Sequence, residues 1–241
     1  ATRGETACTA ARFRPQSESA SAANVLLMGC SDGTLRAWHV TSNRVLGEPV
    51  LEPEGCQIFA MDARADGARV ATAGLDGAVR VYDAATLRPV QALSGGDGVT
   101  TAGHSNRVFS LRYAEGSDDV LVSGGWDNTV CVWDARVGAA AVRSVYGPHL
   151  CGDALDISED GRTLLTASWR QHDAVQLWDL GSGSLVKSVP WFPARGAEPC
   201  LPYGARLGRG KAEGLALVGG SGENEARVVS LEDGAVHARL A

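Results

Sequence analysis

The chain has 241 residues, 44% of them hydrophobic, and a formal net charge of -6. That is enough for one large all-β domain or two ordinary ones with a buried core, but no apolar run approaches the ~18 residues of a membrane span, and Ala1 to Ala10 hold no apolar signal-peptide core. The negative balance argues against sequence-independent nucleic-acid binding, which is driven by phosphate neutralisation, and the one basic cluster, Arg206, Arg209 and Lys211, reads as a solvated loop.

In chain order the sequence repeats itself. The first unit, about residues 8–51, runs through Ala11-Arg12-Phe13, Leu26 to Cys30, the turn Asp32-Gly33, Thr34 to Trp38-His39, and Arg44 to Leu51. Short apolar or alternating runs either side of an Asp-Gly pair read as two strands joined by a tight turn. The second unit, 57–94, has Ile58 to Met61, a polar turn Arg64-Ala65-Asp66-Gly67, Val70 to Gly74, Asp76-Gly77, Val79 to Tyr82-Asp83, and Arg88 to Leu93. The third, 103–147, has Gly103-His104, Val108 to Leu111, Val120 to Gly124, Asp127-Asn128, Thr129 to Trp133-Asp134, and Val142 to Tyr146. The fourth, 149–190, has Ala154 to Ile157, Leu164 to Ser168, an insertion Arg170-Gln171-His172 before Asp173, Val175 to Trp178-Asp179, and Ser184 to Val189. Trp191 to Gly214, rich in Pro and Gly, reads as a loop on one rim. The fifth unit, 200–241, is degenerate, with strands over Leu215 to Gly222, Ala226 to Leu231 and Ala235 to Leu240, and Ser230 where the others carry an aromatic residue. A period of about 44 to 52 residues with four strands per unit predicts an all-β fold, a β-propeller of four-stranded antiparallel blades over residues 1–241.

These units resemble the WD-repeat family across nearly the whole chain, and the third is the best match. In that family a His, a Ser or Thr, a Trp and a turn Asp form a hydrogen-bonded chain inside a blade. The resemblance therefore implies a structural tetrad of His104, Ser123, Asp127 and Trp133. The first unit has Trp38-His39 and no Gly-His before it, the second has Tyr82-Asp83 and lacks the His, and the fourth has Pro148-His149, Thr166 and Trp178-Asp179. A full tetrad is thus expected in the third blade alone. The family usually closes seven blades, with the chain start completing the last one. The period and pattern give about five blades in this chain, and Ala1 to Glu5 is short and polar for closing them, so the expectation is part of a seven-bladed or larger propeller, with a small or open ring completed by a partner as the alternative.

His104, Asp127 and Ser123 have the composition of a catalytic triad, but the same residue types recur with the repeat, which catalysis does not require. The chain has no G-x-S-x-G elbow, phosphate loop or H-E-x-x-H. None of its six cysteines forms a C-x-x-C pair, so buried free thiols are expected, with no metal site and no cofactor. The family resemblance implies that the residue before each turn Asp points to the central face: Ser31, Leu75, Trp126, and Trp169 or His172. A Trp in a polar turn is a common interface anchor, so Trp126 and Trp169 are the candidate binding residues, with Arg107, Arg170 and His172 as a polar rim and Trp191-Phe192 as a second patch. Trp133-Asp134-Ala135-Arg136 matches the W-D-x-R box of WD-repeat substrate receptors of cullin ubiquitin ligases, in which the Arg contacts the ligase adaptor. The expected function is a non-catalytic scaffold or adaptor that binds protein or peptide partners in a multi-protein assembly, with no nucleic acid, membrane or small-molecule substrate. The alternative is a ubiquitin-ligase substrate receptor acting through Arg136. The expected address is the cytoplasm. A composition rich in Ala, Gly and Arg adds the cilium or axoneme as a candidate, through the ciliary WD-repeat chains of GC-rich genomes.

Overall fold

The structure, a computed structural model, describes residues 6–16, 23–95, 102–191, 199–222 and 224–240. Among these residues, twenty strands form five four-stranded antiparallel sheets, and within every sheet the strands lie side by side in chain order. The first sheet holds β1 (Cys8–Phe13), β2 (Val25–Cys30), β3 (Thr34–His39) and β4 (Arg44–Leu51). The second holds β5 (Ile58–Ala63), β6 (Arg69–Gly74), β7 (Val79–Asp83) and β8 (Pro89–Leu93). The third holds β9 (Val108–Tyr113), β10 (Val120–Gly125), β11 (Thr129–Asp134) and β12 (Arg143–Tyr146). The fourth holds β13 (Leu155–Ile157), β14 (Thr163–Ala167), β15 (Val175–Asp179) and β16 (Leu185–Val189). The fifth holds β17 (Leu201–Leu207), β18 (Leu215–Ser221), β19 (Ala226–Ser230) and β20 (Val236–Leu240). The first strands of successive sheets pack on one another, so they form an inner wall from which the sheets radiate as propeller blades.

One expectation needs correction: residues 191–214 are not all loop, because β17 lies within them and serves as the inner strand of the fifth blade. Arg206 sits on that strand and Arg209 just beyond it, and both are paired with carboxylates rather than free in solvent. The expected patch at Trp191-Phe192 also fails at its described half. Trp191 is buried, donates its indole N–H to the Cys200 carbonyl at 2.8 Å and lies under the Arg227 guanidinium. Phe192 and Ala1 to Glu5 lie outside the described residues. Cys30, Cys56, Cys131 and Cys200 are buried free thiols, Cys151 is half-buried and Cys8 is exposed.

The core lies between blades. Leu27, Leu35, Ile58, Met61 and Tyr82 pack between the first and second, and Leu93, Leu111, Leu121 and Trp133 between the second and third. The largest cluster, which includes Leu150, Leu155, Leu164, Val175 and Val218, joins the third, fourth and fifth. Each such side chain contributes about 1.5–3 kcal/mol on full burial. Strands of the inner blades are covered on both faces: β10, β11 and β14 are buried almost throughout. Strands of the end blades instead alternate, as in β2, β3, β18 and β19. Alternation is the mark of a sheet packed on one side only, and Phe13 (63% exposed) and Leu217 (46%) lie on the uncovered sides.

Two local devices shape the blade ends. The turn after each second strand needs a positive φ, supplied by Gly77 (77°) in the second blade and by Asn128 (59°) in the third. The innermost strands also carry β-bulges. Register shifts fall between Cys8 and Ala10, between Ile58 and Ala60, at Phe109 opposite Gly124/Gly125, and between Pro202 and Gly204. The skipped residues, Thr9, Phe59, Phe109 and Tyr203, occupy the same place in four blades, and a bulge there re-aims the side chain.

Along the inner wall, Arg12, Asp62, Arg112, Asp156 and Arg206 hold one register position in the five blades, pairing with Leu27, Ala71, Val122, Leu165 and Leu217 of the adjacent strands. They line a cavity of about 780 Å³ at one end of the central channel. Arg12 pairs with Asp62 at 3.5 Å and Arg112 with Asp156 at 3.7 Å. Asp62 accepts the Tyr113 amide and Asp156 the Leu207 amide, each at 2.8 Å, so these two carboxylates fasten their blades to the next one. Asp153 ties the set together by binding Arg12 of the first blade, Arg112 of the third and Arg206 of the fifth. Burial alone would push the Asp153 carboxyl up, but Arg112, Arg206 and Arg12 overcome it and hold it down at about 2.

Candidate protein-binding face

The third blade forms the expected internal chain. The Trp133 indole N–H donates to Ser123 Oγ at 2.7 Å, Ser123 Oγ meets His104 Nε2 at 2.7 Å, and His104 Nδ1 meets Asp127 Oδ2 at 2.8 Å. Asp127 also accepts the Ser105 amide at 2.9 Å and the Thr129 hydroxyl at 2.7 Å. Burial disfavours the charged imidazole of His104, yet the Asp127 hydrogen bond and the Cys131 side chain outweigh it and raise its pKa to about 9. Burial likewise opposes the Asp127 carboxylate, and His104 and Thr129 lower its pKa despite that. Ser123 and Trp133 are fully buried, and the lone pairs of Ser123 Oγ are already engaged, so this Ser-His-Asp set has neither access to a substrate nor a free nucleophile.

The other blades modify the chain in ways the letters alone do not show. In the second, Glu52 takes the place of the missing His. It is buried, accepts the Thr72 hydroxyl at 2.5 Å and pairs with Arg80 Nε at 3.0 Å, while Arg80 also binds Asp76. Burial holds the Glu52 carboxyl above the ordinary glutamate range, against the pull of Thr72 and Arg80. In the fourth, Trp178 donates to Thr166 at 2.9 Å, and His149 stands outside the chain. Its ring turns to the rim, where Nδ1 meets Asn128 Oδ1 at 2.7 Å, and the adjacent Leu150 takes the buried position.

At the blade ends that carry these turns, the residues before the turn Asp share one backbone arrangement. Ser31, Leu75, Trp126 and Trp169 each donate their amide to the carbonyl of the incoming strand, at Ala7, Gln57, Arg107 and His149. Leu75, Trp126 and Trp169 are 40%, 38% and 45% exposed. Trp126 is the centre of an aromatic group that sequence reasoning found only in part. Phe59 and Phe109, two of the four bulged residues, stack at 4.9 Å, and Phe109 meets Trp126 at 5.1 Å. His149 stacks on Trp126 at 6.5 Å, the Arg107 guanidinium lies 5.1 Å from the indole centre, and the indole N–H donates to Cys151 Sγ at 3.1 Å. Trp169 extends the group toward the fifth blade by donating to Ser221 Oγ at 3.3 Å. Arg170 is fixed beside it by the carbonyls of Gly147 (3.1 Å) and Asp173 (2.8 Å) and by Gln176 Oε1 (2.7 Å). His172 is exposed in the lengthened turn. Phe59, Phe109, His149 and Cys151 were missed, although the alignment of Ile58-Phe59-Ala60-Met61 with Val108-Phe109-Ser110-Leu111 puts the two phenylalanines at one repeat position.

Arg136 lies at the opposite end of β11, about 20 Å from the Trp126 turn at ~3.4 Å per residue. It is 65% exposed in its side chain and grips Asp134 with two nitrogens, at 2.9 and 2.7 Å.

A family model described as WD domain, G-beta repeat, matches residues 47–83 and 93–134. These two stretches are WD repeats. Each matched WD repeat begins near the outer strand of one blade and ends at the third strand of the next, at Asp83 or Asp134. A cell division cycle 20.1 protein, named as a cofactor of the APC complex, from Arabidopsis thaliana is 26% identical over 70% of this chain and 34% of its own length. An mRNA export factor GLE2 from Chaetomium thermophilum is 30% identical over 46% of this chain and 29% of its own. A cilia- and flagella-associated protein 251 from Tetrahymena thermophila is 36% identical over 41% of this chain and 9% of its own. The WD-repeat chain thus spans about a third or less of the length of these three relatives. No helix among the described residues is long and apolar enough to cross a membrane, and no group of three or more His, Cys, Asp or Glu side chains among them is placed to hold a metal.

Proposed function

We propose that this chain is a non-catalytic adaptor that holds a segment of a partner protein on the Trp126 face within a larger assembly. The observation that carries the reading is the aromatic group itself. Trp126 is held by the tilted Phe109 ring, the stacked His149 ring and a hydrogen bond to Cys151, yet 38% of it stays open to solvent. An indole immobilised before binding adds contact area without an ordering cost on association, which is what an anchor residue needs. The relatives' printed names, a complex cofactor and an export factor among them, fit a scaffold class, and the ciliary relative supports the cilium as one address to test. Affinity purification followed by mass spectrometry tests the reading. Trp126→Ala and Trp169→Ala should lose partners that the wild-type chain recovers, while thermal stability stays close to wild type; equal recovery from both would end it.

A ubiquitin-ligase receptor role rests on Arg136, which is exposed on the opposite rim. An adaptor contact there would compete with the grip on Asp134. Arg136→Gln should then lose the ligase adaptor from the same purification, and unchanged adaptor recovery removes this second reading.

A further inference from the structure

Resting on the reading of the Trp126 face as a binding surface, we propose that its partner is an extended acidic peptide, with an apolar side chain on the Phe109–Trp126 group and a carboxylate on Arg107. Charge placement carries the argument. Many arginines of this acidic chain are matched with carboxylates, among them Arg36 with Asp32, Arg69 with Asp83, Arg80 with Glu52 and Asp76, and Arg112 with Asp153, whereas others, such as Arg14 and Arg143, reach backbone carbonyls instead. Both arginines of the aromatic face belong to the group without a carboxylate, and Arg107 lies on an indole. Among the described residues no carboxylate pairs with Arg107, whose guanidinium is held by the Trp126 ring alone. Arg170 is held by two backbone carbonyls and the Gln176 amide oxygen, all of them neutral. Of the carboxylates near them, Asp127 serves His104, Ser105 and Thr129, and Asp173 meets Arg170 through its backbone carbonyl.

A guanidinium lying on an indole has shed water from one face and keeps its edge nitrogens free. That edge is built for the two oxygens of a carboxylate. The Phe59–Phe109 stack beside it is apolar and stands at the bulges of β5 and β9. The two features together select an apolar residue next to Asp or Glu. They disfavour basic peptides, which would set a second cation beside Arg107.

The test is selection of random 12-residue peptides displayed on phage against the full chain, followed by fluorescence anisotropy on labelled winners. Wild-type chain should enrich an aliphatic or aromatic residue flanked by Asp or Glu. Arg107→Gln should weaken the winners by about tenfold or more. Changing the peptide acid to its amide should cost as much, and combining both changes should cost little beyond either alone. Winners that are neutral or basic, yet depend on Trp126, would leave the face a binding surface and overturn the acidic partner. Winners indifferent to Trp126→Ala would overturn the face itself. Winners that bind about tenfold tighter or more once their acid is replaced by phosphoserine would overturn the carboxylate assignment. Arg88→Gln, an exposed arginine in the turn after β7 on the far rim, serves as the control and should bind the winners as wild type does.

Discussion

At the scale of single residues, the third blade concentrates its polar energetics on one oxygen. Ser123 Oγ meets both the Trp133 indole N–H and the His104 imidazole, and all three groups are buried. Ser123→Ala leaves two buried partners unsatisfied and should cost about 1–3 kcal/mol, read from urea unfolding. The His104–Asp127 pair adds a pH signature. His104 has its folded pKa raised to about 9, so its contribution is complete below the unfolded value near 6.5 and is lost as pH rises through about 9. Asp127 is lowered, so its contribution falls away in acid as pH drops through its folded value. The Tm gap between wild type and His104→Asn should therefore be widest between about pH 5 and 6.5 and shrink toward pH 10; a gap that is flat across this range would contradict it. This tetrad was legible in the letters because His, Ser, Asp and Trp each stand at the position that the hydrogen-bond geometry requires. Glu52 was not, since a glutamate before a strand ordinarily reads as surface, and only the fold brings Thr72 and Arg80 to it. His149 has the right type at a comparable spacing in the fourth unit, but the connection from β12 seats Leu150 inward and leaves His149 on the rim, so the fourth blade lacks a full tetrad.

At the scale of elements, burial on one or both faces decides what a strand can tolerate. Leu111 on β9 is fully buried between the second and third blades, and Leu111→Ala should cost about 2–5 kcal/mol. Phe13 on β1 is mostly exposed, and Phe13→Ser should stay within about 0.5 kcal/mol, the ordinary range for a surface change. Chemical denaturation of the two variants compares an inner with an outer blade face directly, and similar losses would mean that the first blade is covered on its far side. Most strands could be read from the sequence, because apolar runs bounded by Asp, Gly and Asn have a plain physical meaning. Strand β17 could not. Leu201-Pro202-Tyr203-Gly204 carries two residues that usually break sheets, and they are tolerated because the register shift between Pro202 and Gly204 falls there. The bulges hid the aromatic group in the same way: period-two alternation assigns Phe59 and Phe109 to a sheet face, whereas the extra residue turns them toward each other.

At the scale of the molecule, the blades are joined by apolar clusters along their faces and by charge along the channel. Asp153 draws arginines from three blades and has its pKa held at about 2. A lowered folded pKa gives stability that is present above the unfolded value near 4 and lost as pH falls toward 2. The Asp153 side chain is 40% exposed, so solvent screening trims that contribution: Asp153→Asn should cost on the order of 1 kcal/mol at pH 7 and little at pH 2, measured as the shift in unfolding midpoint. The repeat and its four strands were plain from the sequence, but the count of blades around the ring was not, because closure depends on surfaces rather than on motifs. The alternating burial of β2, β3, β18 and β19 supplies what the motifs lack, marking the first and fifth blades as covered on one side.

The charges of the inner wall lead to a point of parity. Arg12, Asp62, Arg112, Asp156 and Arg206 alternate in sign from blade to blade. An alternating circle closes without like neighbours only on an even count, and five positions leave an arginine at each end. Both of those arginines reach the same carboxylate, Asp153, which stands outside the register and absorbs the mismatch. Any further blade set between the fifth and the first would meet this bookkeeping of sign: one with an acidic residue at the shared position would complete the alternation and release Asp153 from its double duty.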